Sequence, residues 1–124
     1  QQKIFILRGA FMYFIIKVKK SGKSIVGKSS PGRASTLLNY YGIDTQFIPY
    51  LAELPTSLKL GMYLPGKHIP VVNEKILFKE QPDYVVLLSW HYAEPIMKRL
   101  KAAGLSSDFV IPLPDLKIIK NSKA

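Results

Sequence analysis

The sequence predicts an α/β domain, Rossmann-like and three-layered, with a mostly parallel sheet of about five strands. Two observations carry this expectation. Helical and strand patterns alternate along the chain, the order that builds a parallel sheet flanked by helices. Tyr84-Val85-Val86-Leu87-Leu88 is apolar at every position, as in a strand buried on both faces. The length agrees, because 124 residues suffice for one domain with a core and not for two.

Each element has a local reason. Ile4, Leu7, Phe11, Phe14, Ile15 and Val18 recur every three to four positions and predict a helix over 4–20. Residues 13–18 also carry strand propensity. Ser21-Gly22 is a helix stop. Ser24 to Gly27 reads as a short buried strand, and Pro31-Gly32 breaks the chain. Ala34 to Tyr41 reads as a helix ended by Gly42. Phe47 to Leu51 reads as a second strand, kept short or at an edge by Pro49.

Residues 53–70 read mostly as loop, punctuated by Pro55, Gly61, Pro65, Gly66 and Pro70. His68 to Val72 is a strand candidate. Asn73 caps a helix through Lys79, with Glu74 in its first turn, and Pro82-Asp83 ends it. After the strand at 84–88, Ala93 to Ala103 forms a helix with Ile96, Met97 and Leu100 inward, stopped by Gly104. Phe109 to Ile111 and Leu116 to Ile119 are the last strands. The expected plan is a leading helix over 1–23, the α/β domain over 24–119 and a polar tail over 120–124.

Composition narrows the function. Apolar residues make up 48% of the chain, which fits a globular fold. No cysteine is present, so disulfides, a thiol nucleophile and thiolate zinc sites are excluded. Net charge is +10, and residues 1–43 hold eight cations and no acid. Such a basic end suits phosphates or an acidic partner. Aromatics do not interleave with the cations, so nucleic acid is not the expected partner. The longest apolar run, Gly9 to Ile16, is too short to cross a membrane, and a cytoplasmic location is expected.

Gly22-Lys23-Ser24-Ile25-Val26-Gly27-Lys28-Ser29 matches the phosphate-loop pattern G-x-x-x-x-G-K-[ST]. That loop needs a strand before it, which residues 13–18 could supply, and a helix starting at its Lys-Ser. Pro31 and Gly32 fall where the helix should run, and Asp83 precedes its strand rather than following it. A small protein that binds a nucleoside triphosphate or phosphate through Gly22–Ser29 is therefore the rival reading, and a non-catalytic interaction module is the third.

Four segments resemble a known family in the family's own order. They are Ile25-Val26-Gly27 followed by Gly32 to Asp44 with its Thr36-Leu37-Leu38-Asn39-Tyr40 core; Leu64 to Val71, containing Pro65-Gly66-Lys67-His68-Ile69-Pro70; Pro82 to Trp90; and Phe109 to Pro114. Together they span about residues 24–115. The chain resembles the C-terminal domain of S-adenosylmethionine-dependent C-methyltransferases, many of which act on nucleotide-linked deoxysugars. The resemblance implies three parts: a cysteine-rich zinc domain, a central S-adenosylmethionine-binding domain and this C-terminal one. It therefore implies a methyltransferase domain as partner, in cis or in trans. It also places the cofactor there, leaving this chain alone without cofactor and without methyl-transfer competence. This sequence departs from the family at Lys28 and Ser29 (aromatic and glycine), Ser35 (asparagine), Tyr41 (cysteine), His91 (asparagine) and Glu53-Leu54 (an Asp and a basic residue).

The candidate substrate-binding residues are Lys28, Ser30, Arg33, Thr36, Asn39, His68, Trp90 and His91. The loop from Gly27 to Thr36 links a strand to a helix start, where free amides with Lys28 and Arg33 could take a diphosphate; solvated cations in an ordinary turn are the alternative. Asn39 could bond a sugar or base, or tie down a loop. His68 sits in a Pro-flanked turn and titrates near neutrality, or bonds backbone. Trp90 and His91 end the buried strand, where ligands gather in such sheets; Trp90 could stack on a ring or pack internally. Two histidines and no cysteine give no expected metal site. No paired general base or cofactor glycine motif is present, so no catalytic residue is assigned.

Overall fold

The computed structural model describes residues 2–28, 45–55, 60–64, 69–112 and 115–121, with side chains from residue 9 onward and not at 63–64. It is a Rossmann-like α/β domain. Helix α1 spans Gln2–Lys20. The strands are β1 Ile25–Lys28, β2 Leu51–Glu53, β3 Tyr63–Leu64, β4 Ile69–Asn73, β5 Tyr84–Leu87, β6 Asp108–Ile111 and β7 Lys117–Ile119. Helix α2 is Lys75–Glu80 and α3 is Ala93–Ala102.

The strands form one sheet in the order β3-β4-β2-β1-β5-β6-β7. The five inner strands are parallel, and β3 and β7 lie antiparallel at the two edges. The sheet thus has seven strands rather than about five, the additions being those short edges.

Two cores sandwich the sheet. On one face α1 lays Phe11, Ile15 and Val18 against Ile25, Leu51, Ile69, Val71, Val86 and Val110. On the other, Leu77 of α2 and Ala93 and Leu100 of α3 pack on Val26, Ala52, Val85, Leu87 and Phe109. Successive residues of β5 alternate between these cores, which is why its sequence is apolar throughout. Each fully buried side chain of this size contributes roughly 1.5–3 kcal/mol. Burial of the 3.6-period stripe keeps residues 13–18 helical despite their strand propensity. Lysines 17, 19 and 20 complement the negative end of α1. Gly22, at φ 78°, terminates the helix, with its N–H donating to the Lys19 carbonyl and that of Lys23 to the Val18 carbonyl.

Three local expectations shift. The second strand begins at Leu51, not Phe47; Ile48 and Tyr50 are buried but lie in irregular chain. Residues 53–70 contain the start of β4 and the two-residue β3. Asn73 caps α2 one position earlier than a standard cap, its Oδ1 accepting from the Lys75 N–H at 3.0 Å. The helix anticipated over Ala34 to Tyr41 lies outside the described residues.

The amino edge of the sheet is clasped. Asp83 Oδ2 accepts the Ser24 N–H at 2.8 Å, and the Asp83 N–H donates to Ser24 Oγ at 2.9 Å. Gln81, left-handed at φ 48°, ends α2. Its Oε1 accepts from the N–H and Oγ of Ser106 at 2.9 and 2.8 Å, and its Nε2 donates to Gly104 O at 3.2 Å.

Candidate functional site

After β1 the chain builds β2 and β4 on one side, then crosses to β5 on the other. The switch point therefore lies between β1 and β5, and ligands of such sheets bind outside the carboxyl ends there. Lys28 ends β1 opposite Leu87 of β5, and its carbonyl accepts the Leu88 N–H at 3.2 Å. Gly27 packs closely: a methyl group there would meet the end of the Leu51 side chain, which would have to shift.

Lys28 follows Val26 onto the α2/α3 face and is only 2% exposed. Its Nζ lies 3.4 Å from Glu74 Oε1. Glu74 stands between β4 and α2, with its N–H donating to the Glu53 carbonyl at 2.7 Å. Arg99 of α3 grips the same carboxylate with two donors, Nη1 to Oε2 at 2.7 Å and Nη2 to Oε1 at 3.0 Å. The Arg99 hydrogen bonds, chiefly, hold the Glu74 carboxyl below its ordinary range, with the Lys28 charge assisting. Burial lowers Lys28 from its ordinary value, and the charges of Glu74 and Glu53 oppose that shift only in part. Arg99 is raised by Glu74.

Beyond β5 the chain makes one tight turn, Trp90–Tyr92, before α3. Trp90 is half-buried, with its ring 5.2 Å from that of His91 and tilted by 41°. His91 is exposed, and Tyr92 is 67% exposed. Three aromatic side chains thus follow one another beside the switch point.

Of the sequence candidates, the structure brings Lys28, Trp90 and His91 to this edge. Ser30, Arg33, Thr36, Asn39 and His68 lie outside the described residues. Glu74, Arg99 and Tyr92 were missed. In the sequence Glu74 reads only as a helix-start residue, and its partner Arg99 lies 25 residues away, beyond any local pattern. Tyr92 was legible as part of the run Trp90-His91-Tyr92 after a buried strand.

The phosphate-loop reading is corrected by this geometry. Residues 13–18 are helix, not the feeding strand. Ile25–Lys28 is a central strand, with its backbone paired to β2 and β5, so those amides cannot wrap a phosphate. The pattern's lysine is buried against Glu74. Among the described residues, no three His, Asp or Glu side chains group to hold a metal, and no helix is long and apolar enough to cross a membrane.

The fold is a Rossmann-like α/β domain with a charged and aromatic cluster at the switch point. The family model for the C-methyltransferase C-terminal domain matches residues 1–114, and the chain belongs to that family. The match takes in the leading helix, which the motifs over 24–115 did not include. The chain is similar to C-methyltransferase NovU of Streptomyces niveus, 33% identical over 103 residues, covering 82% of this chain and 24% of that protein. It is also similar to an S-adenosylmethionine:tRNA ribosyltransferase-isomerase of Nitrosococcus oceani, 26% identical over 100 residues, covering 73% of this chain and 29% of that protein. The chain thus spans about a quarter of the length of these curated relatives.

Proposed function

We propose that this chain is the substrate-side, accessory C-terminal domain of an S-adenosylmethionine-dependent C-methyltransferase that modifies a nucleotide-linked sugar in the cytoplasm. The observation that carries this reading is the family match across residues 1–114, joined to a switch-point rim with chemistry suited to a nucleotide. Trp90, with His91 beside it, offers a surface for a base or sugar ring. Arg33, Ser30, Thr36, Asn39 and His68 are the further substrate contacts, and Lys28 acts from beneath the rim through Glu74. The methyl donor and the proton-abstracting base belong to a partner methyltransferase domain, in cis or in trans.

Isothermal titration calorimetry on the 124-residue chain tests this. A thymidine diphosphate sugar is expected to bind, and Trp90→Ala to weaken it about tenfold, the scale of one lost stacking contact. S-adenosylmethionine and magnesium–ATP are expected to give no heat of binding. Binding of S-adenosylmethionine without any binding of the sugar nucleotide would overturn the allocation of roles.

A further inference from the structure

Two cations carried by different elements converge on one carboxylate at the ligand edge. Lys28 comes from the end of β1 and Arg99 from α3, and Glu74 receives both from the junction of β4 and α2. The Arg99 fork is the geometry that recognises carboxylates and phosphates alike. Lys28 stands at 3.4 Å, beyond the roughly 2.7–2.9 Å of a tight charge-assisted hydrogen bond. The cluster sits at the topological switch point, and the Arg99 side chain, 43% exposed, opens it to solvent. The Glu74 backbone is fixed by its hydrogen bond to Glu53, so only the side chain needs to turn for the carboxylate to leave. Glu53 also acts on Lys28 electrostatically, and its charge remains when the carboxylate of Glu74 moves.

We propose that Lys28 and Arg99 form an oxyanion-binding site whose built-in occupant is the Glu74 carboxylate. Glu74 is then an autoinhibitory contact. A phosphate group reaching this edge competes with it for both cations, and a doubly charged phosphate interacts with them more strongly than a single carboxylate. The convergence on Glu74 is the same whether the phosphate belongs to a sugar nucleotide or to another ligand, so this site and the substrate reading can fail separately.

The test uses the full 124-residue chain as wild type, Glu74→Ala and Lys28→Met/Glu74→Ala. Each is titrated with inorganic phosphate, and in a second arm with thymidine diphosphate, with sodium chloride holding ionic strength constant. Affinity is read by phosphorus NMR and thermal shift. Glu74→Ala is expected to bind phosphate at least tenfold more tightly than wild type, and the double variant to lose that gain. If Glu74→Ala does not fold in chloride, phosphate is expected to restore its cooperative unfolding transition where chloride of equal ionic strength does not. A gain shared by thymidine diphosphate assigns the site to a nucleotide, and a gain for phosphate alone to a smaller oxyanion; both support it. No gain in Glu74→Ala, a gain that survives loss of Lys28, or no rescue by phosphate overturns it. A wild type that binds no sugar nucleotide bears on the proposed substrate alone.

Discussion

Glu74 is held by Arg99 through two donors at 2.7 and 3.0 Å, while Lys28 approaches the same carboxylate at 3.4 Å. The three charges are therefore not equivalent, and their removal has unequal consequences.

Glu74→Ala in chloride buffer brings Lys28 and Arg99 face to face and leaves the buried ammonium with the weaker offset of Glu53. Breaking a buried pair in this way costs about 3–5 kcal/mol, an upper figure here because Arg99 is partly solvated. Lys28→Met keeps the Glu74–Arg99 pair whole and replaces a buried ammonium by an apolar chain of similar length. It should lie within about 1 kcal/mol of wild type or above it. Urea unfolding of both variants measures the contrast, and equal losses would contradict it.

Stability should respond to pH in opposite senses at the two ends of the scale. The Glu74 carboxyl is lower in the folded state than its ordinary 4.5. Its contribution is complete above that value and is lost as pH falls through the folded one. Lys28 is lowered from 10.5, so the unfolded chain holds its proton longer. Stability then rises as pH climbs from the folded value towards the ordinary one. Chemical unfolding across acid and alkaline series should show the acid loss shrink in Glu74→Gln and the alkaline gain vanish in Lys28→Met.

A second alkaline effect runs against the first. Tyr50 donates its hydroxyl to Glu80 Oε1 at 2.9 Å, and burial, with that hydrogen bond, pushes the phenol well above its ordinary 10.0. Its contribution is present below 10.0 and is lost as pH rises past it. Tyr50→Phe should flatten the fall above pH 10, followed by the phenolate absorbance and the unfolding midpoint together.

Gly27→Ala forces a methyl group into the Leu51 side chain. Overpacking of this kind costs roughly 1–3 kcal/mol. Gly27→Ala/Leu51→Ala should recover part of the clash, so that the two losses are less than additive in a thermal unfolding cycle.

Asp83→Ala removes the clasp to Ser24 at the amino edge. The exposed, charge-assisted contact contributes about 1 kcal/mol. The proposed sugar-nucleotide binding should be unchanged, because ligands of such sheets bind at the opposite edge. A calorimetric titration beside the unfolding curve separates the two effects.

Much of the architecture was legible. Alternating patterns gave the layers, and the apolar run at 84–88 gave a central strand because each face had a core to fill. The spacing of Phe11, Ile15 and Val18 outweighed strand propensity because a buried stripe stabilises more than propensity does. The second strand was misplaced because Ile48 and Tyr50 are buried as strand residues would be, yet Pro49 between them lacks an N–H. The edge strand Tyr63–Leu64 is too short to leave a period. Of the candidate residues, Lys28, Trp90 and His91 lie at the carboxyl ends of β1 and β5, and the other five lie outside the described residues. The Glu74–Arg99 pair depends on how α3 packs over the sheet, and no local spacing encodes that.

The sheet closes on β3, two residues long, and β7, three residues long with Lys117 as its first residue and Lys120 just beyond it. Edge strands this short, the second flanked by lysines, are a poor template for strand addition by a neighbouring chain. By itself, the domain should therefore stay monodisperse at the concentrations that calorimetry and NMR demand.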